Sequence, residues 1–137
     1  MIRVYQVQLT NSMINEINEK GWVNTSFDSN YFALTNFPGR GATVDEQLLK
    51  AVADGLVSHT MTIDTDEMGE VYDIGNGYGD RSKIVYSAVR RKSVSVGDLL
   101  VNDEGDGYVV APVGFDPVER MTVRKMETQV STRMMLA

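Results

Sequence analysis

The spacing of apolar side chains changes repeatedly along the chain between the period of a strand and the period of a helix. Residues 2–9 are rich in β-branched and aromatic side chains, which predicts a strand. Residues 11–20 carry apolar side chains at helical spacing between a capping residue, Thr10, and a glycine stop, Gly21. This combination predicts a short helix. Residues 22–42 are dense in apolar and aromatic side chains, fit a short strand and end in a glycine-rich loop.

The second predicted helix has the clearest local signal in the chain. Thr43 followed three residues later by Glu46 matches a capping box. Apolar side chains then recur at four-residue steps from Val44 to Leu56. Residues 44–54 are therefore predicted to be helical.

Three further segments complete the mixed pattern. Residues 57–63 alternate between apolar and polar side chains, with His59 on the apolar side, and predict a strand. Residues 66–73 predict a short helix that the preceding Asp-Thr pair can cap. Residues 84–118 contain β-branched runs on both sides of the turn sequence Asn-Asp-Glu-Gly-Asp-Gly. They predict a C-terminal antiparallel β-unit.

These elements predict an α+β fold in one small domain. The expected architecture is a mostly antiparallel sheet with two or three short helices and a C-terminal β-hairpin unit. Residues 1–119 would form the domain, and residues 120–137 a C-terminal tail or terminal element. The apolar spacing in that tail, which holds four of the eight methionines, fits a helix and a strand equally. A length of 137 residues suits one domain.

Composition argues against several classes of protein. The chain has no cysteine and one histidine, which argues against disulfides, thiol nucleophiles and cysteine-rich or multi-histidine metal sites. The net charge of −6 argues against direct nucleic-acid binding. No apolar run approaches the roughly 18–20 residues that span a bilayer, and the first residues lack the pattern of a signal peptide. We therefore expect no cofactor and no membrane association.

One acidic segment suggests a divalent cation site. Asp64, Asp66 and Glu67 are closely spaced, and hard cations prefer carboxylate oxygens. A calcium-binding loop would also need ligands at the positions of Met68 and Gly75, which have no suitable side chain. The segment therefore predicts a capped helix start and no metal site.

His59 is the only imidazole, so a nucleophile–histidine–acid arrangement would have to use it. Its neighbours Ser58 and Thr60 point to the opposite face of the predicted strand. A structural histidine is the simpler interpretation. We therefore expect no catalytic residues and no enzymatic activity.

The chain also carries a glycine-rich loop and basic clusters. Gly75, Gly77 and Gly79 do not match a dinucleotide-binding fingerprint, but two cations follow them and allow an anion contact. A flexible connector and a solvated basic turn explain the same residues without a ligand. The candidate anion-binding residues are Arg81, Lys83, Arg90, Arg91 and Lys92.

Charge is distributed in blocks along the chain. Residues 44–80 carry a net charge of −8, residues 81–92 of +5, residues 93–119 of −6 and residues 120–137 of +3. Two interpretations stay open: the blocks pair with one another, or the acidic blocks form one face that meets a basic partner, in the extreme as a mimic of DNA. The candidate partner-binding residues are Asp64, Asp66, Glu67, Glu70, Asp73, Asp103, Glu104 and Asp106.

Residues 93–101 and 108–115 resemble a pattern of small YodL-like proteins. They read Ser-Val-Ser-Val-Gly-Asp-Leu-Leu-Val and Tyr-Val-Val-Ala-Pro-Val-Gly-Phe, which match S-x-S-x-G-D-h-h and Y-h-V-x-x-x-G-F, where h is apolar. In these proteins, which are widespread in bacteriophages and mobile elements, a strand ending in Asp and a short acidic helix often precede the pattern. Met61–Asp64 and Asp66–Ile74 fit those two elements, and a longer basic insert, residues 81–92, separates them from the pattern.

The resemblance covers residues 61–118 and implies a phage or mobile-element origin and an accessory role in the host cell. The family has no established catalytic residues, so none is carried over. We expect a non-catalytic accessory protein that binds a protein partner in the host cytoplasm, for example to inhibit a host enzyme or defence system. Two alternatives stay open: a virion or assembly component that forms homo-oligomers, and a binder of a small phosphorylated ligand through Arg81, Lys83 and the glycine loop.

Overall fold

A computed structural model of the chain describes residues 1–21, 25 and 42–136. The strands in chain order are β1 (Ile2–Val7), β2 (Val57–Ile63), β3 (Ile84–Ser87), β4 (Leu99–Asn102), β5 (Gly107–Val110) and β6 (Phe115–Val118). The α-helices of this part of the chain are α1 (Asn11–Lys20), α2 (Ala42–Ala53), α3 (Met68–Gly75) and α4 (Arg120–Leu136), and a 3₁₀ turn spans Arg81–Lys83. The predicted α+β class is confirmed.

All six strands form one antiparallel sheet in the order β3-β2-β1-β4-β5-β6. The N-terminal strand β1 lies in the middle, between β2 and β4, and Ile2 and Val4 are completely buried. Its alternating side chains therefore contribute to the packing on both faces of the sheet.

Helices cover both faces of the sheet and bury two apolar clusters. On one face, α2 and α4 pack over Tyr5 and Val7 of β1. The same cluster includes the β4 and β5 side chains that point to this face, which are Leu99, Val101 and Val109. On the other face, α3 and the side chain of Val94 pack over Ile2, Val4 and the end of β2. Helices α2, α3 and α4 thus each remove an apolar stripe from water against the sheet, which is the main stabilising term of such a layered fold.

A one-residue bulge in β2 changes the face that its side chains occupy. The register with β1 shifts between Val4 and Tyr5, because Thr60 is an extra residue in β2. Before the bulge, Val57 joins the cluster beneath α2 and α4, whereas after it Met61 joins the cluster beneath α3. The prediction of one continuous apolar side along this strand is therefore wrong, since one inserted residue reverses the alternation.

Local signals located several elements correctly. Helix α1 occupies the predicted residues, with Thr10 Oγ1 accepting a hydrogen bond from the Met13 backbone N–H at 3.2 Å and Gly21 at a φ of 74° after its end. Strand β2 also has its predicted bounds. The turn after β4 is closed by Asn102, whose side-chain oxygen accepts backbone N–H groups of Glu104 and Asp106. In α1 and in the turn after β4, a side chain satisfies backbone groups within a few residues.

The predicted β-unit over residues 84–118 is correct for β4, β5 and β6 and wrong for β3. Those three strands form an antiparallel meander, whereas β3 pairs with β2 at the opposite edge of the sheet. Residues 93–96, within the predicted unit, form no strand, because this segment lies on the sheet face and buries Val94 beneath α3. β-branched composition indicates a strand but does not select its neighbour.

The C-terminal segment that fitted a helix and a strand equally is the helix α4. Val123, Met126 and Val130 lie on its buried side, each at most 2% exposed. Met121 is exposed, and Met134 and Met135 are partly to largely exposed at the end of the helix, where they line a cleft against the sheet. The strand and loop expected within residues 22–41, and the side chain of Thr43 in the capping box, lie outside the described residues.

Close packing at Gly75 yields a stability prediction. A Cβ placed on Gly75 would lie 2.2 Å from Val94 Cγ2, whereas one placed on Gly69 in the same helix would meet nothing within 4 Å. We expect Gly75→Ala to lower the free energy of unfolding by about 1–3 kcal/mol through overpacking. The matched control, Gly69→Ala, should be neutral or stabilising by about 0.5–1 kcal/mol through helix propensity. Urea unfolding measures both, and equal effects would contradict the packing described.

Candidate functional site

The sheet topology brings the two acidic blocks together. Strands β2 and β4 flank β1 and run antiparallel to it, so their C-terminal ends lie beside its N-terminal end. Exposed carboxylates follow both strand ends. We call this group the acidic end; its members are Asp64, Asp66, Glu67, Asp103 and Glu104.

The first residues of β1 join the two acidic blocks. Asp103 Oδ2 accepts a hydrogen bond from the amino group of Met1 at 2.7 Å, and Arg3 Nη1 lies 3.7 Å from Asp103 Oδ1. The hydrogen bond from the amino group lowers the pKa of Asp103. Asp66 Oδ1 lies 4.0 Å from the same nitrogen, and the Asp66 side chain is 99% exposed. Carboxylates from both blocks thus lie around one residue.

Other predicted partner-binding residues are paired within the fold. Lys83 Nζ donates to both carboxylate oxygens of Glu70 at 2.9 Å, and Arg120 Nη2 lies 2.8 Å from Asp106 Oδ1. Hydrogen bonds from Thr65 and then Lys83 lower the pKa of Glu70. Asp73 lies on α3, five residues after the start of that helix. Some acids of the two blocks are therefore paired within the fold, whereas others gather at one end, and their contact with a basic partner stays a prediction.

The predicted anion-binding residues fall into two groups that do not meet. Arg81 and Lys83 lie before β3, and the cluster of residues 90–92 lies after it. The three residue steps of this strand correspond to about 10 Å. Lys83 is already engaged by Glu70. The second group, which we call the basic cluster (Arg90, Arg91 and Lys92), lies at the opposite end of the sheet from the acidic end.

A buried polar bridge fixes the position of the basic cluster. Gln6 Oε1 accepts the backbone N–H of Lys92 at 3.1 Å, and Gln6 Nε2 donates to Asp98 Oδ2 at 2.8 Å. Asp98 Oδ2 also accepts the backbone N–H of Ser95 at 2.9 Å. Gln8 Nε2 donates to the backbone carbonyl of Arg90 at 2.6 Å. Alternate side chains of β1 therefore hold the segment after β3 against the sheet face.

The glycine-rich loop serves packing. Gly75 is buried at the end of α3 against Val94, and the Asn76 side-chain amide donates to the carbonyls of Tyr72 and Val94 at 2.7 and 2.8 Å. Gly77 has a φ of 88°, a backbone conformation in which a Cβ is strained. These contacts account for the glycines without a ligand.

A cleft of about 660 Å³ lies between the sheet and the C-terminal half of α4. Arg3, Tyr5 and His59 line its sheet side, and Glu127 and Met135 line its helix side. No local pattern in the sequence points to Arg3, Tyr5 or Glu127, because 122 to 124 residues separate the partners.

Three polar side chains in this cleft bind one another. Arg3 donates to Glu127 through Nε at 2.8 Å and Nη2 at 3.2 Å, and the Tyr5 hydroxyl donates to Glu127 Oε2 at 2.5 Å. Burial, followed by the hydrogen bond to Glu127, raises the pKa of Tyr5 far above its usual range, so the phenol stays protonated at neutral pH. Both carboxylate oxygens are used in this network. Its direct effect is to attach α4 to the central strand.

His59 lies beside this network. Its ring is 5.4 Å from the ring of Tyr5 and 4.9 Å from that of Tyr86, and its Nε2 lies 3.0 Å from the Met61 carbonyl oxygen and 2.8 Å from Thr62 Oγ1. A carbonyl only accepts, so Nε2 carries the hydrogen. Burial lowers the pKa of His59, which favours a neutral ring at pH 7. These contacts fit the expected structural role.

Comparison of the chain with protein-family models, curated proteins and solved structures found no match. Within the described ranges, no helix is long and apolar enough to cross a membrane. The same part of the chain holds no group of three or more His, Asp or Glu side chains placed to bind a metal ion. The functional argument therefore rests on the arrangement of charge and on the exposed surfaces.

The network around Glu127 predicts a measurable cost of neutralising that carboxylate. Glu127→Gln removes the ion pair with Arg3. It also places an amide N–H, which can only donate, beside the Arg3 guanidinium and the Tyr5 hydroxyl, which themselves donate at this site. We expect a loss of about 1–3 kcal/mol in the free energy of unfolding. Glu104→Gln, at an exposed turn, should change it by less than about 0.5 kcal/mol. Equal losses in urea unfolding would contradict the role of Glu127 in holding α4.

The buried carboxyl of Asp98 predicts a pH-dependent stability. Burial raises the pKa of Asp98 to about 6, above the unfolded value of about 3.9. The folded state therefore holds a proton that the unfolded state releases, and the contribution of Asp98 to stability is lost as the pH rises from about 4 to 6. Asp98→Asn removes this titration. We expect its stability relative to the wild type to improve by up to roughly 3 kcal/mol between pH 4 and 7. A stability difference between the two proteins that does not change with pH would contradict this account.

Proposed function

We propose that the protein is a non-catalytic accessory protein of a bacteriophage or mobile element that acts by binding a protein partner in the host cytoplasm. The observation that carries the proposal is the acidic end, where carboxylates from two distant sequence blocks converge. The resemblance of residues 61–118 to YodL-like proteins supports the origin and the accessory role. The partner surface that fits best is basic.

The exposure of these carboxylates supports partner binding. Within the described part of the chain, no lysine or arginine lies within ion-pair distance of Asp64, Glu67 or Glu104. Asp66 is almost fully exposed and only marginally paired. Such solvated carboxylates add little to folding stability, but a cluster of one sign attracts a surface of the opposite sign and accelerates docking.

The placement of the other candidate groups favours this function over the alternatives. A small phosphorylated ligand would need converging cations, yet Arg81 and the basic cluster lie at opposite ends of β3, and Lys83 is held by Glu70. An enzyme would need polar groups available to a substrate, whereas Arg3, Tyr5 and Glu127 are engaged with one another. The separation of the cations and the mutual bonding of the cleft residues therefore favour binding of a protein partner over binding of a phosphorylated ligand and over catalysis.

A pair of matched variants tests the acidic end. The triple variant Asp66→Asn, Glu67→Gln, Glu104→Gln removes three charges there, and the control Glu19→Gln, Glu46→Gln, Asp54→Asn removes three exposed charges away from it. Tagged wild-type protein is used to capture a partner from a bacterial host that carries the element, and the purified partner is titrated by calorimetry. We expect the triple variant to bind about tenfold or more weakly, with near wild-type binding by the control and weaker binding at high salt.

Two outcomes would contradict the proposal. A captured partner that binds the triple variant and the wild type equally would show that the acidic end is not the binding surface. Failure to capture any stoichiometric protein, together with thermal stabilisation by a nucleotide from a panel, would favour the small-ligand alternative.

A further inference from the structure

A second cleft, of about 420 Å³, lies where β1 leads into α1. It is lined by Gln8, Leu9, Asn11 and Ile14 and by the basic cluster. Its volume falls within the usual range of binding sites on proteins. Among the described residues that line it, none carries a carboxylate. The cleft therefore combines positive charge with a small apolar surface.

The fold does not neutralise the cations of this cleft. Arg3, Lys83 and Arg120 each pair with a carboxylate of the chain. In the basic cluster, by contrast, no cationic nitrogen lies within ion-pair distance of a carboxylate of the described residues. Arg91 Nε donates to Ser87 Oγ at 2.8 Å, which leaves its positive charge in place. Three adjacent charges are therefore open to an anionic partner.

The backbone that carries these cations is fixed before a partner binds. Gln6 is fully buried and binds both the N–H and the carbonyl of Lys92, and Gln8 binds the carbonyl of Arg90. The backbone N–H of Gln8 in turn donates to the Leu56 carbonyl at 2.7 Å. Ordering a loop on binding lowers affinity. Here folding has already ordered the backbone, so binding has to order only the long side chains.

Leu9 and Ile14 give the cleft its apolar surface. Leu9 is partly buried against the core beneath α2 and α4, whereas Ile14 is 43% exposed on the first turn of α1. That turn holds no acidic side chain, so it adds no repulsion of an anion. An occupant with charge alone would leave the apolar pair in water. An occupant that carries carboxylates beside an apolar side chain uses both features of the cleft.

We propose that this cleft binds an acidic segment of a protein partner. Carboxylates of the segment meet the basic cluster, and an apolar side chain between them covers Leu9 and Ile14. Clusters of arginine are a recurring means of recognising acidic motifs. The cleft and the acidic end lie at opposite ends of the sheet, so this site is separate from the one proposed above and does not depend on it.

The lining of the cleft favours an acidic peptide over two other anions. A compact phosphate group is typically held by backbone N–H groups that converge on it, yet the N–H of Lys92 is already bonded to Gln6. A single-stranded nucleic acid is typically held by aromatic rings on which its bases stack, and none of the described lining residues is aromatic. Long cationic side chains beside two aliphatic ones fit an extended peptide better.

Selection from a displayed library of random short peptides tests the chemistry of the occupant. The wild-type protein is the bait, and the double variant Arg90→Gln, Lys92→Gln first removes peptides that bind elsewhere. We expect the enriched peptides to combine several Asp or Glu residues with an aliphatic or aromatic one. The matched control Arg124→Gln, Lys125→Gln removes one exposed arginine and one exposed lysine from α4, outside the cleft, and should retain these peptides.

Titration with an enriched peptide, followed by nuclear magnetic resonance, tests the location. We expect the amide signals of Leu9, Ile14 and Arg90 to shift most, and high salt to weaken binding. The double variant Arg90→Gln, Lys92→Gln should raise the dissociation constant at least about tenfold. Ile14→Ala should raise it about threefold or more, whereas Met121→Ala, at an exposed position on α4, should leave it unchanged. Circular dichroism checks that the variants are folded.

Three results would overturn the inference. They are a selection that yields no excess of acidic peptides, an enriched peptide that binds the double variant as tightly as the wild type, and tighter binding of inorganic phosphate, a nucleotide or a DNA strand in this cleft than of any selected peptide. The triple variant at the acidic end has fewer negative charges, so it should bind the acidic peptide at least as tightly as the wild type. Failure of this site is therefore distinguishable from failure of the proposed function.

Discussion

The buried bridge between Gln6 and Asp98 is the contact on which the arrangement of charge depends. Gln6 is fully buried on the central strand and Asp98 is 2% exposed, so neither side chain can exchange its partners for water. Gln6 bonds to both the N–H and the carbonyl of Lys92, which fixes the basic cluster at one end of the sheet. Removing this bridge would release the segment that carries three of the five cations in residues 81–92.

Strand direction places the opposite charge at the other end. Because β2 and β4 both run antiparallel to β1, the residues after each of them arrive beside Met1. The acidic sequence blocks thus converge at one end, while the segment after β3 returns its cations to the other. The net charge of −6 therefore conceals an uneven distribution, in which exposed carboxylates gather at one end of the sheet and the basic cluster lies at the other. A cluster of exposed carboxylates attracts a surface of opposite charge.

The features that could be predicted from the sequence are those that depend on residues close together in the chain. The bounds of α1 and β2 and the turn at Asn102 follow from capping, alternation and turn chemistry within a few residues. Three features had no local signal. They are the bulge at Thr60 that reverses the alternation of β2, the choice of β2 as the partner of β3, and the contact between Arg3 and Glu127 across 124 residues. The acidic end was predicted only as an alternative, because its formation depends on the sheet order. Five of the eight predicted partner-binding residues lie at this end, whereas Glu70 and Asp106 pair with cations of the same fold, and the binding role of the five stays a prediction.

The most direct test of the charge arrangement is nuclear magnetic resonance with charged paramagnetic cosolutes added to the dilute protein. This account predicts that a cationic cosolute broadens the amide signals of Asp66 and Glu104 most strongly. An anionic cosolute of the same size should instead broaden those of Arg90 and Lys92. The ratio of the two effects should reverse between the two ends of the sheet and disappear at high salt. Equal broadening of both groups by both cosolutes would contradict the central claim that this fold sorts its charge to opposite ends.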